Sequence, residues 1–338
     1  MIRANQPYQG PHKGCTQKAG RLVYQLCPGQ KGPLDTVQPM QNKLSPATAL
    51  LLTVPPLLWA GNAVVGRLVT DLISPMALNF FRWVLAFLIL LPLAYPLLRR
   101  NSLLWPNWRR FGLLALLGVG SYNALQYLAL KTSTPMNVTL VAASSPVWML
   151  GVGALFFGQG ISARQLLGAA LSIAGVLLVL SRGDPALLLQ VRLVPGDIYV
   201  LLATLAWAFY CWLLSLPNEP VEIRRDWSAF LLAQVVFGLG WAGLFSAGEL
   251  AVGEAHAQWG WPLALALLYV ALGPALLAYR TFSLGIQRVG PTTAGFFTNL
   301  TPLFAALMSA AFLGETPQLF HGLAFALIVG GILVSAQR

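Results

Sequence analysis

Arg82 carries the clearest chemistry in the chain. The stretch around it is apolar apart from Asn79, one helical turn away on the same face. It lies about seven residues, ~10 Å, inside a run that opens at Pro75. A cation at that depth costs at least ~2.5–3.5 kcal/mol to insert, so it needs a partner or a wet cavity. Two roles fit: a clamp on a substrate carboxylate or phosphate, or a pin on neighbouring carbonyls. Arg280 sits nearer the end of its span and is expected to snorkel.

Other polar and amphipathic side chains recur at helical spacing. Trp59 and Asn62 are three apart, as are Trp207 and Tyr210. Asn123 and Gln126 share a face, and 156 positions on stand Tyr279 and Phe282. Asn299 and Thr301 flank Pro302. Singly, each polar residue reads as interhelical glue worth under about 1 kcal/mol. As a set they point to a polar cavity walled by tryptophan and tyrosine.

Little else offers reactivity. The acidic residues fall outside the apolar spans or at their ends, so no carboxylate pair stands ready for a metal. His12, His256 and His321 lie in tails or at span edges, and Cys15, Cys27 and Cys211 form no CxxC. No catalytic residue, metal or cofactor is expected. The net charge of +11 raises nucleic acid as a partner, but the basic residues are not gathered on one aromatic-laced face. The expected partners are the lipid bilayer and a small-molecule substrate, with no nucleic acid; a homodimer is left open. An integral-membrane enzyme or a channel is the alternative, without a recognisable catalytic or filter motif.

The elements that must hold these residues are membrane helices. Of 338 residues 57% are apolar and 9% charged, against roughly 25% charged in a soluble domain. Ten apolar runs approach the roughly 20 residues that cross a bilayer: 46–66, 75–98, 109–130, 136–157, 163–181, 195–215, 228–247, 261–284, 291–313 and 319–336. Pro55, Pro56, Pro146, Pro274 and Pro302 fall inside spans and are expected to kink them. Residues 1–45 are polar and basic and read as a disordered cytosolic tail, with Met40 an alternative start. Outside the spans, Lys and Arg collect on the side of the two termini. Only Arg67, Lys131, Arg182 and Arg192 fall on the other side, which places both termini in the cytosol.

The chain also repeats itself. Pro135, Pro146 and Gly158 are matched 156 residues later by Pro291, Pro302 and Gly314, and Leu58-Trp59-Ala60 is matched by Ala206-Trp207-Ala208. Residues 46–181 and 195–336 thus read as two five-helix units joined by a loop over 182–194. An odd number of spans per unit inverts the second copy, as in many secondary transporters. Ala154/Gly158 and Ala310/Gly314 make small-xxx-small pairs, expected at close helix packing. The fold class expected is an all-α membrane protein of ten transmembrane helices in two inverted repeats.

Several of these marks together resemble the EamA-type drug/metabolite transporters: Trp59-Ala60-Gly61-Asn62, Asn79-Phe80-Phe81-Arg82-Trp83, Leu128-Ala129-Leu130-Lys131, the Pro146 and Pro302 helices, and Gly314-Glu315. The resemblance covers about 46–336. It implies a bacterial inner-membrane carrier of small metabolites, often an exporter of amino acids or drug-like compounds. It also implies a central cavity between spans 1–4 and 6–9, with spans 5 and 10 peripheral. Gln159 departs from the family pattern, which has Glu after the first-repeat Gly. Glu315 stands just past the expected end of span nine and is expected to cap or pack the turn before span ten. No carboxylate lies at depth to couple transport to protons.

Overall fold

The computed structural model describes residues 43–130, 132–133, 135–192, 194–313 and 318–337. The tail with its Met40 alternative, Lys131, Gly314 and Glu315 lie outside them. Among the described residues the chain is nearly all helix, with no strand beyond one isolated antiparallel bridge, Ile73 to Ala257. Among the described residues eight stretches are long and apolar enough to cross a membrane: Pro46–Gly66, Pro75–Leu98, Asn137–Phe157, Ala163–Leu180, Pro195–Ser215, Trp227–Ala251, Trp261–Val289 and Leu319–Ala336.

The helices run in order α1 Pro46–Leu68, α2 Pro75–Ala94, α3 Trp108–Leu114, α4 Tyr122–Leu130, α5 Pro135–Ala142, α6 Ser145–Phe157, α7 Ala163–Leu180, α8 Pro195–Ser215, α9 Val221–Arg225, α10 Trp227–Ala251, α11 Trp261–Val270, α12 Ala278–Val289, α13 Pro291–Phe297, α14 Leu300–Leu313 and α15 Leu319–Ala336. Prolines open α1, α2, α5, α8 and α13, where a missing N–H costs nothing. Ser162 and Gln165 make a capping box at α7, and Asp226 caps α10 through the Ser228 and Ala229 amides. Burial raises the Asp226 carboxyl. Hydrogen bonds from the Ser228 hydroxyl and from those two amides outweigh it and hold the group below its ordinary value of 3.8.

Two tracts change winding at matching places. α3 runs into α4 through a π-helical segment, Ala115–Ser121, and α11 into α12 through another, Ala271–Leu277. Their bounds are 156 residues apart at both ends. Two further tracts break: α5 and α6 part at 143–144, and α13 and α14 at 298–299. Pro146 and Pro302 stand just inside the second helix of each pair, where they cannot donate back into the preceding turn. At the first break Ser145 Oγ takes the carbonyl that Pro146 leaves free, Ala142 O, at 2.6 Å; at the second, the Thr301 amide takes Thr298 O at 3.0 Å. Pro55 and Pro56 are absorbed within the continuous α1.

α7 and α15 cross in close contact. A Cβ on Gly168 would lie 2.6 Å from Gly331 O, and one on Gly175 would lie 2.9 Å from Ala324 O. The lower residue of α7 meets the higher residue of α15, so the helices are antiparallel. Lipid is as apolar as leucine, so packing of this kind is what holds such helices together. Gly158, of the first small-xxx-small pair, has a different fate, and the second pair's Gly314 lies outside the described residues. Gly158 ends α6 in the left-handed conformation, φ +64°, with nothing within 4 Å of where its Cβ would stand.

Candidate substrate site

Residues singled out by spacing on α1, α8 and α12 meet around Trp207. From α1 comes Trp59, its ring 5.5 Å from Trp207; from α12 come Tyr279 at 5.9 Å and Phe282 stacked at 5.5 Å. Tyr122 of α4 stands 4.9 Å from Trp207, and Tyr210, one turn along α8, stands 5.1 Å away. Edge-to-face and offset contacts dominate, as ring quadrupoles prefer. Trp207 is only 3% exposed.

Three polar tips in this cluster have clear partners. Trp59 Nε1 donates to Pro274 O at 3.2 Å, and Tyr279 Oη to Gly118 O at 2.6 Å. Tyr210 Oη donates to Gln234 Oε1 at 2.9 Å. Asn123 and Gln126 are half-buried beside the rings, within side-chain reach of Tyr279 and Tyr122 respectively. Asn62 is half-buried one turn from Trp59.

Arg82 lies at the edge of the same cluster. It is 5% exposed, and one terminal nitrogen donates to Asn79 Oδ1 at 2.6 Å. Its guanidinium stands 5.1 Å from the Trp83 ring centre, and Trp83 packs edge-on against Tyr279 at 5.3 Å. Arg82 Nε and Trp83 Nε1 are buried donors without an acceptor among the described residues. An unmet donor of this kind costs about 1–3 kcal/mol, more for a charged group. Adjacent residues therefore each hold a buried N–H without an acceptor among the described residues.

Asn299 and Thr301 are not part of this cluster's contacts. Asn299 Nδ2 donates to Ser172 Oγ at 2.9 Å and to Ala143 O at 3.3 Å, tying the α13–α14 break to α7 and to the α5–α6 break. Thr301 is half-buried in the first turn of α14. Arg280 is exposed and lies 4.4 Å over the Trp227 ring, as a snorkelling side chain would. A groove of about 430 Å³ lies elsewhere, between α3 and α10, lined by Trp108, Arg109, Phe237 and Trp241 among others.

A protein-family comparison matches residues 46–181 and 194–337 to the EamA-like transporter family. The chain belongs to the EamA-like transporter family. Among relatives of this EamA-like chain, an uncharacterized transporter from Archaeoglobus fulgidus is 26% identical over 86% of this chain and 98% of its own length. An aromatic amino acid exporter, YddG, from Ancylobacter novellus is 25% identical over 68% of this chain and 76% of its own. A protein named probable terminal-alkyne amino-acid exporter, from Streptantibioticus cattleyicolor, is 24% identical over 88% and 95%. A solved crystal structure with 23% identity superposes with a TM-score of 0.64 over 86% of this chain and 97% of its own, which is a likeness of fold.

Three buried carboxylates escaped the sequence reading of this EamA-like transporter. Glu249 accepts from Ser74 Oγ at 2.6 Å, Ala77 N at 3.1 Å and Met76 N at 3.3 Å, capping α2 from the end of α10. Its helix runs to Ala251, past the expected end at 247, because Gly253 and not the apolar run stops it. Asp197 accepts from Ser133 Oγ, Asn137 Nδ2 and Val194 N. Glu219 is clasped by Arg110 at 2.7 Å and Arg224 at 2.6 Å. Only Asp197, at the third helical position behind Pro195, carried a readable signal, that of a capping acid.

Proposed function

We propose that this chain is a secondary transporter that exports small metabolites bearing a carboxylate, amino acids foremost. It works by alternating access between two inverted five-helix repeats, ten membrane helices in all. Arg82 carries this proposal: a guanidinium held by Asn79, with Nε–H unmet beside the unmet Trp83 Nε1–H. Those donors suit a carboxylate, and the neighbouring rings suit an apolar side chain. Two of the relatives named above are amino acid exporters by name, which agrees with such a substrate.

Support for inverted repeats comes from features at the 156-residue offset, the two π segments and the reciprocal crossing of α7 and α15, and from two helix breaks that match it to within one residue. In that crossing Gly168 meets Gly331, which is Gly175 moved on by 156, and Gly175 meets Ala324, which is Gly168 moved on by 156. Reciprocal contact of this kind is what a two-fold relation generates. The basic-residue bias supports an inner-membrane orientation with both termini cytosolic. Transport follows the substrate gradient or exchange, since Asp197, Glu219 and Glu249 sit near helix ends, each held by two or more donors. An imposed pH gradient is then expected to leave uptake unchanged; strong gradient-driven accumulation would refute that coupling.

The experiment is a binding comparison on purified protein between free amino acids and their carboxamides. Free acids are expected to bind at least about tenfold more tightly, and Arg82→Lys, which keeps charge but loses the planar fork, to lose most of that preference while remaining folded. Equal affinity for acids and amides, or wild-type transport by Arg82→Ala, would overturn the clamp.

A further inference from the structure

The two π segments present two carbonyls to the aromatic cluster, and each is occupied by a side chain from the other repeat. Gly118 and Pro274 are the fourth residues of Ala115–Ser121 and Ala271–Leu277 and stand 156 apart. Tyr279 of the second repeat donates to Gly118 O, and Trp59 of the first donates to Pro274 O. A π turn carries an extra residue and disturbs the regular ladder, so its carbonyls are the ones free to take outside partners; such turns recur at functional sites.

The two bonds are not images of each other. Moved on by its repeat offset, Trp59 becomes Trp207 and Pro274 becomes Gly118. The image of the Trp59–Pro274 bond is therefore Trp207 to Gly118. Likewise the image of the Tyr279–Gly118 bond is Asn123 to Pro274. Both image bonds compete for the same two carbonyls as the bonds present. Trp207 is close to its claim: it packs on Tyr210, whose ring lies against Gly118 so tightly that a Cβ there would stand 2.5 Å from Tyr210 Cε2. Asn123 is already beside Tyr279.

We propose that the Gly118 and Pro274 carbonyls form a paired switch. In the state described here they are held by Tyr279 and Trp59; in the opposite-facing state, Trp207 takes Gly118 O and Asn123 takes Pro274 O. This rests on the inverted-repeat reading above. Two halves that exchange conformations exchange their cross-repeat bonds as well, so each state is stabilised by a donor that the other state releases. The asymmetry of the donors, tyrosine and tryptophan against tryptophan and asparagine, then sets the balance between the two states.

The test is hydrogen–deuterium exchange of the full-length protein, following the loops 69–74 and 253–260 at one end and 99–107 and 216–226 at the other. Tyr279→Phe removes a donor of the present state and keeps the ring. It is expected to change exchange about threefold to tenfold, up at one end and down at the other. Trp207→Phe and Asn123→Leu remove donors of the opposite state and are expected to move both ends with reversed sign. Asn123→Leu alone gives that arm if Trp207→Phe fails to fold. Shifts of the same sign for all variants, or none, would overturn the switch. Reporters in the loop 182–194 and after residue 337 separate the two failures. The same membrane side for both would defeat the inverted repeats, whereas opposite sides with same-sign shifts would defeat the switch alone.

Discussion

Asn299 Nδ2 donates to the backbone carbonyl of Ala143, the residue 156 positions before it, at 3.3 Å. On the two-repeat account these are equivalent positions, so the bond joins a position to its own counterpart. Only points near the pseudo-two-fold axis can do that, and Trp59 with Trp207, also counterparts, lie 5.5 Å apart. The axis would then pass through the helix breaks and the aromatic cluster, where two rocking halves would hold a substrate between them.

The α7–α15 crossing is expected to tolerate no added carbon. Gly331→Val would press on Gly168 O and Ser172 N, which an alanine Cβ would already approach to 2.6 and 2.9 Å. A loss of about 1–3 kcal/mol is expected, read as a lower unfolding midpoint in detergent. Gly330→Ala, with open space around its Cβ, is the control and is expected to stay at the wild-type midpoint.

Glu219→Gln is expected to be among the most destabilising substitutions at the loop between α8 and α10. It strips the charge from a side chain with no exposure that pairs Arg110 and Arg224, leaving two guanidinium groups uncompensated. Breaking a buried pair costs about 3–5 kcal/mol. Arg110 comes from the start of α3, and its terminal nitrogen also reaches Leu213 O, so the loss should register as loosening between α3 and α8. Chymotrypsin nicking of Trp108 or Trp212 is expected to accelerate, and an unchanged rate would count against the clasp.

Asp226 predicts an acid-side loss of stability. Its folded carboxyl lies below the ordinary 3.8, so its contribution is full above that value and drains away as pH falls through the lowered one. Asp226→Ala should lose the cap, worth about 1 kcal/mol, at neutral pH. Wild type and variant should converge as the pH drops below 3.8. A gap that persists unchanged into strong acid would show that the cap does not depend on charge.

Much of this architecture was legible before any coordinates, because membrane helices write themselves as apolar length and proline position. The paired prolines at 146 and 302 announced kinks in their tracts, which the structure takes further as helix breaks at 143–144 and 298–299. Spacing likewise brought Trp59, Trp207, Tyr210 and Tyr279 together before packing did. Matching π segments were not legible, since no residue type encodes an extra residue per turn and only Pro274, inside one of them, hinted at it. The buried acids were missed for another reason. Glu249 and Glu219 look like solvated span ends in sequence, and only tertiary contact supplies the amides, hydroxyl and guanidinium groups that bury them. The packing role given to Gly158 was misread, because a helix-ending glycine and a helix-packing glycine are spelled alike.

Counterflow tests the transport account most directly. Proteoliposomes loaded with unlabelled phenylalanine are given a trace of labelled phenylalanine outside. A carrier that alternates between two closed-ended states must show a saturable, transient overshoot of label inside, abolished in Arg82→Ala protein that remains folded. Flux that rises linearly with concentration and never overshoots, or an undiminished overshoot in Arg82→Ala, would contradict it.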